Sequence, residues 1–255
     1  MKNQPFAQWS GSTYHPILRN PPNILLCRKK NMLKTGIRVI KKKGLYYIAE
    51  NENSIKLFKP WLGDSFSFLY DFIMKSSIFP KKFGADMSKH YEILSQELKD
   101  IHGKRVLELA TGSGSAVNFL ENDNQYTGTD ISTGLLKSAV KKFKTSGFKE
   151  TNFYVSSADD LPFDVKLFDI CLCILSLNFL NNVKKVFQEI RRVLVPGGIF
   201  ICTVPVPERN SLQSTIRGTL YSEDELGKIC QEHGFEFESM PAKNGTLLYF
   251  RAIVQ

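Results

Sequence analysis

Glu108, Gly112, Gly114 and Asp130 are the residues whose types and spacing point to chemistry. They lie in VLELATGSGSAVNFL (106–120) and YTGTD (126–130). The first stretch is an apolar run carrying a carboxylate, then Ala-Thr-Gly-Ser-Gly, then an apolar helical pattern. The second ends in another carboxylate, 18 residues after Gly112. Glycines without a Cβ let a backbone approach a ligand closely. A helix expected over Ser115–Glu121 would aim its free N–H groups and positive dipole end at an anionic group. A carboxylate ending the next strand accepts hydrogen bonds from ribose hydroxyls. The ligand is therefore a nucleoside with an anionic or zwitterionic extension. A dinucleotide would want a small residue where Val117 stands, because its fingerprint packs helix on strand at that point. S-adenosylmethionine, whose carboxylate would meet the helix N-terminus, is the alternative.

These residues need a frame to hold them. From Lys104 onward apolar runs alternate with helical patterns. Strands are expected at 105–110, 126–130, 152–157, 168–175 and 199–204, and helices at 133–144 and 183–195. The second helix carries a stripe of Val183, Val186, Phe187, Ile190 and Leu194. "PGG" (196–198) reads as the turn before the fifth strand. Ser222 and Glu225 form a capping box for a helix over 222–233, with Gly234 at its C-terminus. Two strands, 235–240 and 246–254, close the chain as a hairpin, so one of them runs antiparallel to the rest. Strand–helix alternation predicts a parallel sheet covered by helices on both faces. Upstream, 36–58 reads as a small hairpin or meander with ENENS as a turn and Pro60 as its end. Helical spacing over 65–98 is broken near Pro80, with a last helix at about 86–98. The expected division is a basic extension with a small hairpin (1–64), a helical cap (65–103) and a ligand-binding domain (104–255).

The 255 residues carry a net charge of +9, placed unevenly. Residues 1–60 hold 12 Lys/Arg and 2 Asp/Glu, a net +10, and the remainder is −1. A basic, acid-poor front end has three readings: a solvated appendage, an arm for nucleic acid or anionic membrane, or an organelle transit segment. No apolar run reaches the ~18–20 residues of a membrane helix. The five cysteines form no CxxC pair, so no metal is expected, and a reduced, cytoplasmic protein is the simplest fit.

Several separate stretches together resemble the class I S-adenosylmethionine-dependent methyltransferases, in particular the small-molecule, type 11 group that includes ubiquinone/menaquinone C-methyltransferases. They are VLELATGSG, with Ala110 in place of a first glycine, YTGTDIS, SADDLPF (157–163) with FDICLCILSLNFL (168–180), VFQEIRRVLVPGGIFICTVP (186–205), and YSEDELGKICQEHGF followed by a hairpin. LYDFIM (69–74) resembles a Tyr-Asp segment ahead of the first strand. The likeness covers about residues 65–255. It implies a seven-stranded Rossmann-like sheet in the order 3-2-1-4-5-7-6 with strand 7 antiparallel, and S-adenosylmethionine as methyl donor. By position, it assigns Glu108, Ala110, Gly112 and Gly114 to the methionine end, Asp130 to the ribose and Ile131 to the adenine face. Ser157, Ala158 and Asp159 would read the adenine edge, and residues 174–178, Leu175 among them, would border the transferring methyl. Ser157 departs from the Asp common there.

The implied reaction is an in-line displacement on a sulfonium methyl. Alignment alone contributes ~7–11 kcal/mol to such steps in favourable cases, and a general base is optional. Tyr70, His90 and Asn178 are the candidates facing the acceptor. Arg209 and Arg217 would suit an anionic one, and His102 reads as a surface histidine. Strand four ends in Leu-Ser-Leu-Asn-Phe, which lacks the motifs of DNA amino-, RNA cytosine-C5- and protein arginine methyltransferases. A small-molecule acceptor with an O, N or C nucleophile is expected. The alternative is an RNA methyltransferase, or an RNA-associated protein, using residues 1–60.

Overall fold

The computed structural model describes residues 32–50, 54–56, 58 and 69–255. The expectations for the basic arm up to residue 31, for most of the ENENS turn and for Pro60 lie outside the described residues. The described residues belong to the compact unit Asn31–Gln255.

A hairpin opens the chain. β1 (Val39–Lys42) and β2 (Leu45–Ile48) pair antiparallel across Lys43-Gly44, both in the left-handed region that two-residue hairpins need. A short helix α1 (Tyr70–Ile73) runs directly into a π-helix (Met74–Phe83). The break expected near Pro80 falls instead at Gly84, which ends the π-helix in the left-handed conformation. α2 (Met87–Leu98) follows, its first turn closed by the Asp86 carboxylate accepting from the Lys89 N–H.

The core alternates strand and helix: β3 (Arg105–Leu109), β4 (Gln125–Asp130), α3 (Thr133–Thr145), β5 (Glu150–Val155), β6 (Phe168–Ile174), α4 (Val183–Val193) and β7 (Leu194–Pro205). α5 (Glu223–Glu232), β8 (Phe235–Ser239) and β9 (Leu247–Val254) complete it. Both hydrogen bonds of the Ser222/Glu225 capping box are present. "PGG" does not precede the strand. It lies inside β7, where the register against β6 jumps between Leu194 and Ile199, so these residues form a bulge.

The sheet has nine strands in the order β1-β2-β5-β4-β3-β6-β7-β9-β8. Seven had been expected. The difference is the N-terminal hairpin, which joins the sheet because β2 pairs parallel with β5 at Tyr46↔Tyr154 and Tyr47↔Val155. Stacking of the Tyr46 and Tyr154 rings, 4.8 Å apart, secures that edge. β3 to β7 run parallel, and β9 is antiparallel to both β7 and β8.

Period-two alternation sorts the strand residues between two cores. Leu107, Leu109, Cys171, Cys173, Phe200 and Cys202 face α4 and α5. Val106, Ile170, Leu172, Ile201 and Tyr249 face α2 and α3. Glu108 is also on this second face, which makes it a carboxyl inside an apolar layer. Among the described residues no helix is long and apolar enough to cross a membrane.

Candidate functional site

The glycine loop leaves β3 through three left-handed residues: Ala110 (φ 49°), Gly112 (φ 57°) and Gly114 (φ 82°). The two glycines do different work. A Cβ on Gly112 would meet nothing nearer than the Ala110 carbonyl oxygen at 3.9 Å, so that side of the loop is open. A Cβ on Gly114 would lie 2.8 Å from Ala139 Cα, so Gly114 lets α3 pack against the loop and sits away from the open side. The helix expected over Ser115–Glu121 is one 3-10 turn, Ser115–Asn118. Phe119 and Leu120 turn inward to join the core, with Phe119 beside the Tyr91 ring, and so end the turn. This turn is too short to carry a helix dipole of useful length.

Asp130 closes the site from β4. Gly112 N–H donates to Oδ2 and Ser132 N–H to Oδ1, both at 2.8 Å. The carboxylate is thereby fixed against the glycine loop. Glu108 is 2% exposed and accepts from the Tyr126 hydroxyl. Burial pushes the Glu108 carboxyl up to about 8, against the hydrogen bonds from Tyr126 and Thr111 that favour its ionised form. Thr111 reaches both the Glu108 carbonyl and the Tyr126 hydroxyl at 3.2 Å. Gly128 makes room for it, since a Cβ there would lie 2.6 Å from Thr111 Oγ1.

α1 lies across this loop. The Asp71 carboxylate accepts from Ser113 Oγ and ion-pairs with Lys142 of α3. Tyr70 is held among Asp130, Asp71 and Tyr91, and burial with those charges raises its hydroxyl to about 12. It is a proton donor at neutral pH and not a base. Between loop and helices lies a cleft of about 60 Å³. The glycine loop and the end of β6 supply one part of its lining, Glu108, Ala110, Gly112 and Leu175, and the helices before β3 supply the other, Tyr70, Met74, Phe79, Met87, His90 and Tyr91. Leu175 turns from β6 with φ 59°, a costly conformation for a bulky residue, held by its N–H donating to the Thr203 carbonyl at 2.7 Å.

His90 is 1% exposed, and burial lowers its imidazole to about 4, so it is neutral. Its Nδ1 meets the Tyr249 hydroxyl at 3.0 Å. Other candidates lie off the cleft. Asn178 donates to the Arg217 carbonyl at 2.7 Å and pins the segment before α5. Ser157 donates to Asp159, and with Ala158 they follow β5, while Ile131 follows β4 with 43% of its surface exposed. Arg209 pairs with Glu223 at 2.9 Å, Arg217 is exposed, and His102 pairs with Asp123 at the surface. A wider depression of about 610 Å³ lies between α4 and α5, away from every candidate.

Sequence reasoning did not single out Thr111, Ser113, Tyr126, Lys142, Asn244 or Tyr249. Only the three nearest the loop carried a signal, since they lie inside the two quoted motifs.

Residues 107–202 match a family model described as a methyltransferase domain. The phthiotriol/phenolphthiotriol dimycocerosates methyltransferase of Mycobacterium tuberculosis is 32% identical over 104 residues, 40% of this chain and 37% of that protein. The demethylmenaquinone methyltransferase of Clavibacter sepedonicus is 35% identical over 112 residues, 42% of this chain and 45% of that protein. The match thus spans less than half of these relatives. A SAM-dependent methyltransferase from Aquifex aeolicus superposes with a TM-score of 0.56 at 17% identity, covering 74% of this chain and 98% of that one.

Over residues 107–202 the chain is thus similar to methyltransferase domains, and its fold is shared with a SAM-dependent methyltransferase. The family implies S-adenosylmethionine as methyl donor, and the residues present fit it. The open side of Gly112 is a cradle that a Cβ would narrow, Asp130 offers a carboxylate at a strand end, and Glu108 places a carboxyl where a cationic group would enter.

Proposed function

We propose that the chain is an S-adenosylmethionine-dependent methyltransferase whose acceptor is an apolar small molecule with an O, N or C nucleophile. The observation that carries this reading is that one cleft is lined both by the glycine loop with Glu108 and by the apolar side chains of Met74, Phe79 and Met87. Relatives named for dimycocerosate lipids and demethylmenaquinone support an apolar acceptor. Residues 65–103 act as the cap that provides those apolar side chains.

Glu108, Ala110 and Gly112 hold the methionine end of the donor, Asp130 the ribose and Ile131 one face of the adenine. Ser157, Ala158 and Asp159 read the adenine edge, and Leu175 borders the transferred group. The bound donor supplies a methyl group already activated by a positive sulfur. The protein aligns the nucleophile and excludes water. Tyr70 donates a hydrogen bond and no residue need remove a proton before transfer.

The test is an extract incubated with the purified protein and S-adenosylmethionine labelled in its methyl group, then partitioned. Label is expected in the organic-soluble fraction. Label confined to RNA or protein would contradict the reading.

A further inference from the structure

Among the side chains that the helices bring to the cleft is a histidine, His90, whose hydrogen-bonding state follows from its neighbours. The Asn244 amide is oriented by the backbone of Asp86: the Asp86 N–H donates to Oδ1 at 2.9 Å, and Nδ2 donates to the Asp86 carbonyl at 2.8 Å. The second hydrogen of Nδ2 goes to the Tyr249 hydroxyl oxygen at 3.2 Å. That oxygen is therefore an acceptor from Asn244. Its own proton goes to the other neighbour, His90 Nδ1, at 3.0 Å. A neutral imidazole has one donor and one acceptor nitrogen. With Nδ1 accepting, the proton sits on Nε2.

Among the described residues nothing pairs with Nε2. It is not one of the polar atoms sealed from solvent. His90 is 1% exposed and is one of the residues lining the cleft, and Nε2 is its ring nitrogen without a partner among the described residues. Around it stand Met74, Phe79, Met87 and Tyr91, with the Phe79 ring 5.2 Å from the imidazole. On the same sheet face, Thr203 is the register partner of Tyr249, and its buried hydroxyl has no partner among the described residues. The apolar lining thus includes a directed N–H donor.

We propose that the Nε2–H of His90 donates a hydrogen bond to an oxygen of the methyl acceptor, and so selects an apolar molecule bearing an accessible oxygen lone pair. His90 is a donor here and not a general base, because its only free nitrogen carries the proton. Asn244 and Tyr249 are positioning residues that hold this tautomer. The role rests on the methyl-transfer reading of the same cleft.

The experiment uses the full chain with ¹⁵N-labelled histidine, saturated with S-adenosylhomocysteine. Long-range ¹H–¹⁵N spectra should show His90 as the Nε2–H tautomer at neutral pH. The probes are 1-naphthol and octanoate, which separate an aryl hydroxyl from a carboxylate, with naphthalene as the control lacking oxygen. At least one oxygen-bearing probe should shift the Nε2 signal, and naphthalene should not. His90→Asn keeps an acceptor for Tyr249 but loses the donor in the cleft. It should weaken that probe by about tenfold, as loss of one buried hydrogen bond does, with S-adenosylhomocysteine binding unchanged. His90→Gln, which restores an N–H near Nε2, should recover part of the loss. An Nδ1–H tautomer, failure of both oxygen probes to bind, or equal probe affinity in His90→Asn would each overturn the proposal. Failure of S-adenosylhomocysteine to bind the wild-type chain would instead count against the methyl-transfer reading, and the tautomer spectrum still decides the state of His90.

Discussion

The two ends of the cleft are built on different plans. At the loop end, Glu108, the glycine loop and Asp130 are close in sequence, with backbone N–H groups fixing Asp130 and the buried acid Glu108 beside them. The far end is assembled across the chain: His90 comes from α2, while Tyr249 and Asn244 come from the closing hairpin more than 150 residues later. The first fixes Asp130 with backbone N–H groups, and the second orients His90 through the side chains of Tyr249 and Asn244. Backbone recognition suits a ligand of constant shape. Side-chain recognition suits a ligand that differs from one relative to the next.

The largest effect expected lies under the loop end. Gly114→Ala would force a Cβ against the Ala139 backbone at a positive φ, and should cost about 2–4 kcal/mol in urea unfolding. Gly112→Ala meets open space, and should cost about 1 kcal/mol through its φ alone. Equal losses would break the distinction between a packing glycine and a cradle glycine.

The next prediction sets the two ends against each other through pH. Glu108 is raised from 4.5 to about 8, so the folded chain keeps a proton that the unfolded chain has released. Its contribution to stability falls as pH rises through that window. His90 is lowered from 6.5 to about 4, so the unfolded chain gains a proton that the folded chain refuses. Its contribution falls as pH drops through that window. The two oppose each other between 4.5 and 6.5, and Glu108 acts alone from 6.5 to 8. Glu108→Gln should remove the loss of stability above pH 6.5, and His90→Asn should expose a falling slope below it. Each slope approaches ~1.4 kcal/mol per pH unit, read from urea titrations at fixed pH. A cation entering beside Glu108 favours its ionised form, so donor binding at pH 7 should release protons. Calorimetry in buffers of different ionisation enthalpy measures that release.

A smaller effect is expected where α1 is tied to α3. Lys142→Ala removes the partly exposed ion pair to Asp71, and thermal melts should register a loss below ~1 kcal/mol. Smallest of all, Ala110→Gly relieves a left-handed alanine and should stabilise by about 0.5 kcal/mol.

The same contrast explains how much was legible in the sequence. Glu108, Gly112 and Asp130 could be read because a strand, a loop and a strand end fall within 25 residues and their spacing is set by backbone geometry. The capping box of α5 and the Asp86 start of α2 were legible for the same local reason. The Glu108–Tyr126 pair was not, because only the parallel pairing of β3 with β4 brings the two side chains together. The edge position of the hairpin depends on Tyr46 meeting Tyr154, a contact without periodic signature. His90 could be read as a candidate facing the acceptor, but its tautomer depends on Asn244 and Tyr249, which no local pattern links to it.

The central claim is that the glycine loop binds S-adenosylmethionine with Asp130 on the ribose. Titration calorimetry on the wild-type chain and on Asp130→Ala tests it directly. The account predicts one binding site per chain in the wild type and a loss of affinity of about 100-fold or more in the variant, as expected when two charge-assisted hydrogen bonds are lost. Equal affinity in the two proteins, or no heat with the donor and binding of NAD instead, would contradict it.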